Sequence, residues 1–581
     1  MITLGLNAAY HDSSACLVVD GALVAAAEEE RFTQVKHGKR PVPFSAWELP
    51  YHAIDYCLGE AGIGLADVDH VAYSYDPALL FDGGALPSTL ALPMEPSAAR
   101  GADGEPWAAL FASYIVNAPR QLAGGVPHHL TRRMNGRAPR YRWHFVPHHV
   151  AHQASAFLAA PYDDMAVMTL DGRGEAASTH YGVLRDGRYR SLGEVRLPHS
   201  LGLFYEDVTR HLGFLHSSDE YKVMALATFG TPRLAAALRE HIEVGDDGQY
   251  RIRPMPFAQW CPPRRRGEPF GEAHADLARA AQIVLEETVV ALARWLRERS
   301  GVRHLAMAGG VALNCVMNAR VRDAGIFDGV WVQPAAGDAG TALGAALWVD
   351  REARGGDAGA PGRFVMDHVY YGPAYDAAEI RATLDRAKVA YEAPADLART
   401  VAARLADERV VGWFEGRMEF GPRALGARSI LASPRDAAMQ QRLNELKDRE
   451  DFRPVAPAVQ VERAPEWFEG CTDSPFMLFV HDVVPAQRHR IPAVCHYDGT
   501  ARVQTVDRAR NALYYDTIAA FGQMTGVPVV VNTSFNTRGK PIVCTPRDAL
   551  ECFFTSPIDT LAIGPYVLDK PAAAGGRAAS R

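Results

Sequence analysis

Two stretches far apart in the chain repeat one layout: an apolar run, a short polar loop, a second apolar run, an Asp-Gly pair and a third run. The first is Ile2-Thr3-Leu4-Gly5-Leu6-Asn7, the loop Tyr10-His11-Asp12-Ser13-Ser14-Ala15, the run from Cys16 to Val19, Asp20-Gly21, and Ala22 to Ala27. The second is Met165 to Leu170, the loop Asp171-Gly172-Arg173-Gly174-Glu175, a run around Tyr181 to Leu184, Asp186-Gly187 and a further run. Asp-Gly between apolar runs is a strong hairpin signal, because both turn positions need a left-handed backbone. Two matching hairpins with polar loops, followed by the Gly-rich Ala308-Gly309-Gly310-Val311-Ala312-Leu313-Asn314, predict a duplicated α/β architecture with its loops facing one cleft. The plainer alternative is two unrelated hairpins in an α/β protein.

With 581 residues the chain is long enough for several domains. A composition 48% apolar and 22% charged is that of a globular enzyme rather than a disordered chain. The net charge of −7 argues against a general nucleic-acid or anionic-membrane surface. The densest basic run, Arg264-Arg265-Arg266, reads as a solvated loop. No uninterrupted apolar stretch reaches membrane-spanning length, Met1 leads straight into a strand with no basic leader, and the eight cysteines form no Cys-x-x-Cys pair. A cytoplasmic protein with no nucleic-acid or membrane partner is expected.

A small-residue, Gly/Pro-rich segment at 351–362 has linker composition. It follows a helix-like run, Thr341-Ala342-Leu343-Gly344-Ala345-Ala346-Leu347-Trp348, and precedes buried-strand patterns at 410–414 and 527–531. Residues 277–296 have helical apolar spacing. These patterns predict a large domain at 1–355 and a smaller one at 365–570, with a frayed tail at 572–581. Residues 76–141, rich in Pro, Gly and Leu and amphipathic over 106–122, read as an insertion that lines a pocket or pads the surface.

His148-His149-Val150-Ala151-His152 carries the sharpest chemistry. On a helix His148 and His152 share one face a turn apart, within reach of one metal ion. Asp171, in the second hairpin loop, and Asp338, in the small-residue loop Ala335-Ala336-Gly337-Asp338-Ala339-Gly340, add carboxylates. Two imidazoles and two carboxylates suit iron, manganese or zinc with positions left open for substrate. The alternatives are hydrogen-bonding core histidines and a helix-capping aspartate.

A second set is basic. Glu415-Gly416-Arg417-Met418-Glu419-Phe420-Gly421-Pro422-Arg423-Ala424-Leu425-Gly426 is followed by Asn444, Lys447, Arg449 and Arg453, then His496-Tyr497-Asp498-Gly499-Thr500-Ala501-Arg502, then Val531-Asn532-Thr533-Ser534-Phe535-Asn536. Cations spaced among glycines and strand ends suggest anion clamps, since Arg presents a planar fork to phosphate or carboxylate oxygens. Each alone also reads as a surface ion-pair residue. Together they favour a nucleotide or acyl-phosphate site.

The motifs also carry a resemblance. The hairpins and Gly loop resemble the duplicated actin-like/sugar-kinase (ASKHA) architecture. The first polar loop with Glu28-Glu29-Glu30-Arg31-Phe32 and Lys36-His37, the histidine helix, Leu170-Asp171-Gly172, Asp219-Glu220-Tyr221-Lys222-Val223-Met224-Ala225-Leu226-Ala227 and the Gly loop resemble the O-carbamoyltransferases of natural-product and nodulation-factor pathways. The N-terminal part is also similar to tRNA threonylcarbamoyl-transferase proteins, and the C-terminal part resembles a YrdC-like domain. The resemblance covers nearly the whole chain except residues 76–141.

That resemblance implies an actin-like α/β domain followed by a YrdC-like α/β domain, and an ATP-dependent O-carbamoyltransferase of antibiotic or other secondary metabolism. The C-terminal half would make carbamoyl-adenylate from carbamoyl phosphate and ATP (with Mg), using Arg417, Arg423, Lys447, Arg449, Arg453 and Arg502, with Asn532 and Ser534 as polar partners; Arg453 is also assigned a catalytic role. His148, His152, Asp171 and Asp338 would hold a metal, with iron first and manganese, zinc or magnesium as substitutes. His11 or Asp12 would take the proton of a small-molecule acceptor hydroxyl. Gly309, Gly310 and Asn314 would border a nucleotide, with Lys222 on a phosphate. A homodimer is one assembly open to such a chain. The competing readings are a tRNA threonylcarbamoyl transferase, a non-catalytic nucleotide-binding protein and a sugar kinase.

Overall fold

A computed structural model describes residues 1–38, 49–81, 115–119, 121–122, 140–356 and 363–571. Most of the 76–141 segment and the 572–581 tail lie outside them. The described chain divides into two compact units, Met1–Gly372 with Phe420–Pro422, and Pro373–Glu419 with the residues from Arg423 onward. Residues 363–372 join the first unit through backbone bonds from Met366 to Ala159 O and from Ala26 to Tyr371 O. The short Phe420–Pro422 piece is held there by Glu28 and Arg31: Gly421 N donates to Glu28 Oε1 (2.9 Å) and Arg31 Nη2 donates to Gly421 O (2.9 Å).

In the first unit β1 (Ile2–Asn7), β2 (Ser14–Val19), β3 (Ala22–Glu28), β4 (His70–Tyr73) and β5 (Arg142–Phe145) form a sheet in the order β3-β2-β1-β4-β5. A second sheet uses β6 (Met165–Leu170), β7 (Ala177–Arg185) and β8 (Arg188–Arg196). After a two-stranded ribbon of β9 (Ile242–Val244) and β10 (Tyr250–Ile252), β11 (His304–Ala308) and β12 (Gly329–Val332) complete it. Its order, β8-β7-β6-β11-β12, repeats the first, with two antiparallel and then two parallel pairings in each sheet. This is the duplicated actin-like topology. The Asp-Gly turns behave as their chemistry requires: φ is +49° and +84° at Asp20 and Gly21, and +48° and +69° at Asp186 and Gly187.

β1, β2, β6 and β11 are buried almost throughout, as strands covered on both faces must be. The first half of the helix Ala339–Ala353 is mostly small residues, which lets its backbone lie against its neighbours. A Cβ on Gly344 would overlap the Ala151 carbonyl of the helix His148–Phe157, and one on Gly5 would overlap the Ala342 carbonyl. That closeness brings the two helix starts, and with them His148 and Asp338, together. The expected helix at 277–296 is the longer Glu272–Ser300.

The second unit holds a mixed seven-stranded sheet. β13 (Val411–Phe414), β14 (Arg428–Ala432) and β15 (Ala456–Gln460) come first. A small ribbon of β16 (His481–Asp482) and β17 (Thr500–Ala501) follows, then β18 (Gln504–Val506), β19 (Val529–Ser534), β20 (Thr560–Ile563) and β21 (Tyr566–Asp569). The order is β18-β15-β19-β14-β13-β20-β21, around a core that includes Trp413, Phe468, Phe521 and Phe535.

Candidate active site

His148 opens a helix directly after Pro147, and the backbone N–H it leaves unpaired donates to Glu175 Oε1 (2.8 Å). The same carboxylate oxygen accepts from Asp76 N (2.8 Å). Sequence reading missed Glu175 because nothing in its own loop signals a cap for a distant helix. One turn apart on that helix, His148 and His152 bring their Nε2 atoms to 3.2 Å. Asp338 Oδ1 lies 3.6 Å from the first and 3.5 Å from the second, and Asp171 Oδ2 lies 3.6 Å from His148 Nε2. One donor atom from each of the four side chains falls within 4.8 Å of the others. His148 and His152 are fully buried, Asp338 is 1% exposed and Asp171 7%.

These spacings discriminate between the alternatives. Asp338 precedes the helix Ala339–Ala353 but makes no side-chain cap bond, so it is not a capping aspartate. Its Oδ1 makes no hydrogen bond, nor does His152 Nδ1. Metal–ligand bonds of about 2.0–2.2 Å put neighbouring donors about 2.8–3.6 Å apart around a tetrahedron or octahedron; four of the six donor pairs here span 3.2–3.6 Å, and all lie within 4.8 Å. His148 Nδ1 faces the Ser74 carbonyl at 3.3 Å, the outer bond that fixes a ligating tautomer. The donor set therefore fits a divalent or trivalent ion. Burial alone would lower the pKa of His148, yet the carboxylates of Asp171 and Asp338, each 3.6 Å away, outweigh it and hold the ring well above its ordinary pKa. Two buried carboxylates demand positive charge at this spot. His149, between the two, faces away to Thr169 Oγ1 and the Ala177 carbonyl, and burial beside His148 and His152 keeps it neutral.

The Gly loop serves this pocket. Gly310 N donates to Asp171 Oδ1 (2.7 Å), and Gly309, at φ +92°, has no room for a Cβ against the Leu170 backbone. Asn314 caps the helix Cys315–Asp323, accepting from Met317 N at 3.0 Å, and exchanges hydrogen bonds with Gln282. Lys222 is paired with Asp219 at 3.1 Å. In the first hairpin loop Asp12 bridges two imidazoles, His11 Nδ1 at 2.9 Å and His37 Nδ1 at 2.7 Å. Burial would raise its carboxyl, but His37 and His11 outweigh that and hold it well below the usual range. His11 Nε2 points to Asp338 Oδ2 at 3.7 Å; against the lowering effect of burial, Asp338 and Asp12 push it up to about 10.

In the second unit Lys447 follows the helix Ala438–Leu446. Its Nζ donates to Ser534 Oγ (2.9 Å) and Asn536 Oδ1 (2.7 Å). Burial, then Arg449 and Arg453, push its pKa well down. Arg449 Nε donates to Asn444 Oδ1, and Arg453 stands 3.7 Å from Glu450. Arg417 and Arg423 sit in the loop between β13 and β14. Asn532 on β19 donates to Ala424 O, next to Arg423, and to Gln504 Oε1, two residues beyond Arg502. Two scaffold residues went unread. Arg428, fully buried and 3.7 Å over the Phe414 ring, donates to the carbonyls of Pro373, Glu415, Gly416 and Ala427. Glu419 Oε1 accepts from the N–H groups of Leu425, Ala427 and Arg428. Among the many arginines of these motifs, Arg428 is structural, and only its burial reveals that.

A buried four-donor pocket on duplicated sheets, followed by a second α/β unit, defines a protein of the actin-like class. Family models sharpen this: one described as Carbamoyltransferase N-terminus matches residues 2–83 and 136–347, and one described as Carbamoyltransferase C-terminus matches residues 402–570. The nodulation protein NolNO of Sinorhizobium fredii is 38% identical over 583 residues, covering 97% of this chain and 80% of that protein. Nodulation protein NolO of Bradyrhizobium diazoefficiens is 40% identical over 439 residues, 73% of this chain and 78% of that protein. The chain belongs to the carbamoyltransferase family and is a carbamoyltransferase enzyme. Solved structures with some likeness include T. kodakarensis HypF (TM-score 0.32, 14% identity, 61% of this chain, 48% of that one) and a ROK hexokinase from Thermus thermophilus (TM-score 0.28, 15% identity, 61% of this chain, 100% of that one). Among the described residues no helix is long and apolar enough to cross a membrane.

Proposed function

We propose that this enzyme transfers a carbamoyl group to a hydroxyl of a small natural-product acceptor in two ATP-dependent steps, one in each unit. The observation that carries the reading is the buried Lys447, set between Ser534 and Asn536 with Arg449 and Arg453 as neighbours. A buried ammonium with two guanidiniums near enough to lower its pKa favours an anion beside it. In the YrdC-like second unit water attacks carbamoyl phosphate to give carbamate and phosphate, and a carbamate oxygen attacks the α-phosphorus of MgATP, expelling pyrophosphate. Adenylation removes the carbamate's negative charge and supplies AMP as a leaving group. Lys447, Arg449, Arg453, Arg417, Arg423 and Arg502 offset phosphate charge as it builds on the departing group, and Asn532 and Ser534 orient the intermediate.

Transfer belongs to the first unit. His148, His152, Asp171 and Asp338 would hold a metal ion, iron first, which when bound supplies a Lewis acid for the acceptor or carbamoyl oxygen. Glu175 fixes the His148 backbone, the Ser74 carbonyl keeps its ring turned into the pocket, and Gly310 N–H steadies Asp171. His11, between Asp12 and Asp338, stands beside the pocket as a hydrogen-bond donor. Gly309, Gly310, Asn314 and Lys222 border the place read for a nucleotide. A mixed anhydride hydrolyses in water, so the intermediate is passed on without release.

The test is AMP and pyrophosphate formation from ATP, carbamoyl phosphate and a panel of pathway alcohols. A carbamoylated alcohol formed with one AMP and one pyrophosphate is the expected result. ADP as the only nucleotide product would overturn the adenylate route.

A further inference from the structure

The resemblance offered His11 or Asp12 as the base of the transfer step, and the geometry does not favour either. Asp12 is clamped between two imidazoles, and His11 turns its remaining nitrogen to the Asp338 carboxylate. A third side chain completes a different arrangement. His37 sits at φ +66° in the turn Lys36–Gly38, with its backbone N–H tied to Glu30 Oε2 (2.7 Å). Its Nδ1 meets Asp12 Oδ1 at 2.7 Å, and its Nε2 meets Ser218 Oγ at 2.9 Å. Carboxylate, imidazole and hydroxyl therefore follow one another in the order that activates a hydroxyl in acyl-transfer enzymes.

Exposure separates this trio from the metal pocket. The His37 and Asp12 side chains are each 28% exposed, whereas His148 and His152 are sealed. An imidazole that solvent reaches, with its far nitrogen already oriented by a carboxylate, is placed to meet an incoming alcohol. Ser218 lies just before the helix Glu220–Leu226, in a loop fixed by Ser217, whose φ is +58° and whose Oγ donates to Glu206 Oε1 (2.5 Å).

We propose that His37, oriented by Asp12, is the base that takes the proton of the acceptor hydroxyl, and that Ser218 Oγ marks the subsite where this hydroxyl binds. This rests on the two-step reading above. The acceptor oxygen bonds to the carbamoyl carbon while its proton passes to His37 Nε2. The bond from that carbon to the adenylate oxygen breaks, AMP leaves with the electron pair, and His37 returns its proton to solvent. Asp12 is a positioning residue, because it acts through the imidazole.

The experiment compares wild type, His37→Gln, Asp12→Asn and Ser218→Ala as full-length proteins, measuring AMP release from carbamoyl phosphate and ATP with glycerol or with hydroxylamine as acceptor. Hydroxylamine is nucleophilic without a base. His37→Gln is expected to lose about 10²–10³-fold with glycerol, to stay within about threefold with hydroxylamine, and to regain part of the glycerol rate with added imidazole. Asp12→Asn should follow the same pattern more weakly, and Ser218→Ala should stay within about fivefold on both acceptors. Thermal unfolding and the retained hydroxylamine rate show that the first unit folds in all three variants, and carbamoyl-phosphate-dependent pyrophosphate exchange shows the same of the second. The proposal is overturned if His37→Gln keeps its glycerol rate or loses both acceptors equally, if a carbamoyl adduct appears on Ser218, or if His37→Gln gives up an equivalent of bound metal. Wild type that makes no AMP with either acceptor sinks the two-step reading instead.

Discussion

The two polar clusters of this chain differ in the sign of the charge they gather. In the first unit two buried carboxylates face two buried imidazoles, and the carboxylates hold His148 well above its ordinary pKa, as a site that favours a cation does. In the second, a buried lysine faces oxygen acceptors and neighbouring arginines, and burial, then Arg449 and Arg453, hold its pKa well below the ordinary lysine value, which an anion would raise again. Each residue set alone reads as ordinary ion-pair chemistry. The sign of the buried charge that each cluster gathers is what distinguishes them, because bringing like charges together under burial favours a ligand of the opposite sign.

The largest effects should come from breaking each cluster separately. Lys447→Ala or Arg453→Ala is expected to abolish carbamoyl-phosphate-dependent pyrophosphate exchange. His148→Ala should leave exchange intact and lower transfer by about 10³-fold. Loss of both activities in a folded His148→Ala protein would end the division of labour.

Metal removal sharpens the same contrast. After dialysis against a chelator and return of excess Mg, exchange should recover fully, while transfer stays low until a transition metal is restored. Elemental analysis of fresh protein should find about one equivalent; under about a tenth, with full activity in chelator, would return His148 and His152 to a hydrogen-bonding role.

Smaller effects test the scaffold. Glu419→Gln weakens three backbone bonds that hold the loop bearing Arg423. It should cost about 1–3 kcal/mol of stability and raise the KM for ATP, read by thermal unfolding and exchange kinetics. The smallest concerns Glu415, whose carboxyl burial pushes up to about 8 from the ordinary 4.5. Between those values the folded state binds more protons than the unfolded one, so stability falls as pH rises through that window and levels off above it. Glu415→Gln should remove that component, giving a shallower decline from pH 5 to 8 in parallel melts; identical slopes would show that Glu415 is normally ionised.

Much of this was legible in the chain. The Asp-Gly pairs set both hairpins because few residues tolerate the backbone those turns need, and the apolar runs around them became doubly covered strands. The histidine pair was readable because helical spacing is fixed. Glu175, His37, Ser218, Arg428 and Glu419 were not read as site or scaffold residues, since each acts on a partner that the local pattern does not name. Glu175 caps a helix whose first residue lies 27 positions away, and His37 meets a serine 181 positions away.

The sequence by itself determined the duplicated hairpins, the glycines that allow helix His148–Phe157 and helix Ala339–Ala353 to touch, and which residue types carry charge. Those follow from local backbone sterics and periodicity, which act within a few residues. Only the tertiary structure decided that Asp338 faces two imidazoles rather than capping its own helix, that Asp12 is shared between His11 and His37, and that Arg428 is sealed by carbonyls. The reason is burial: a side chain's protonation, partners and role depend on which distant groups close off its water, and that is settled only when the sheets and helices pack.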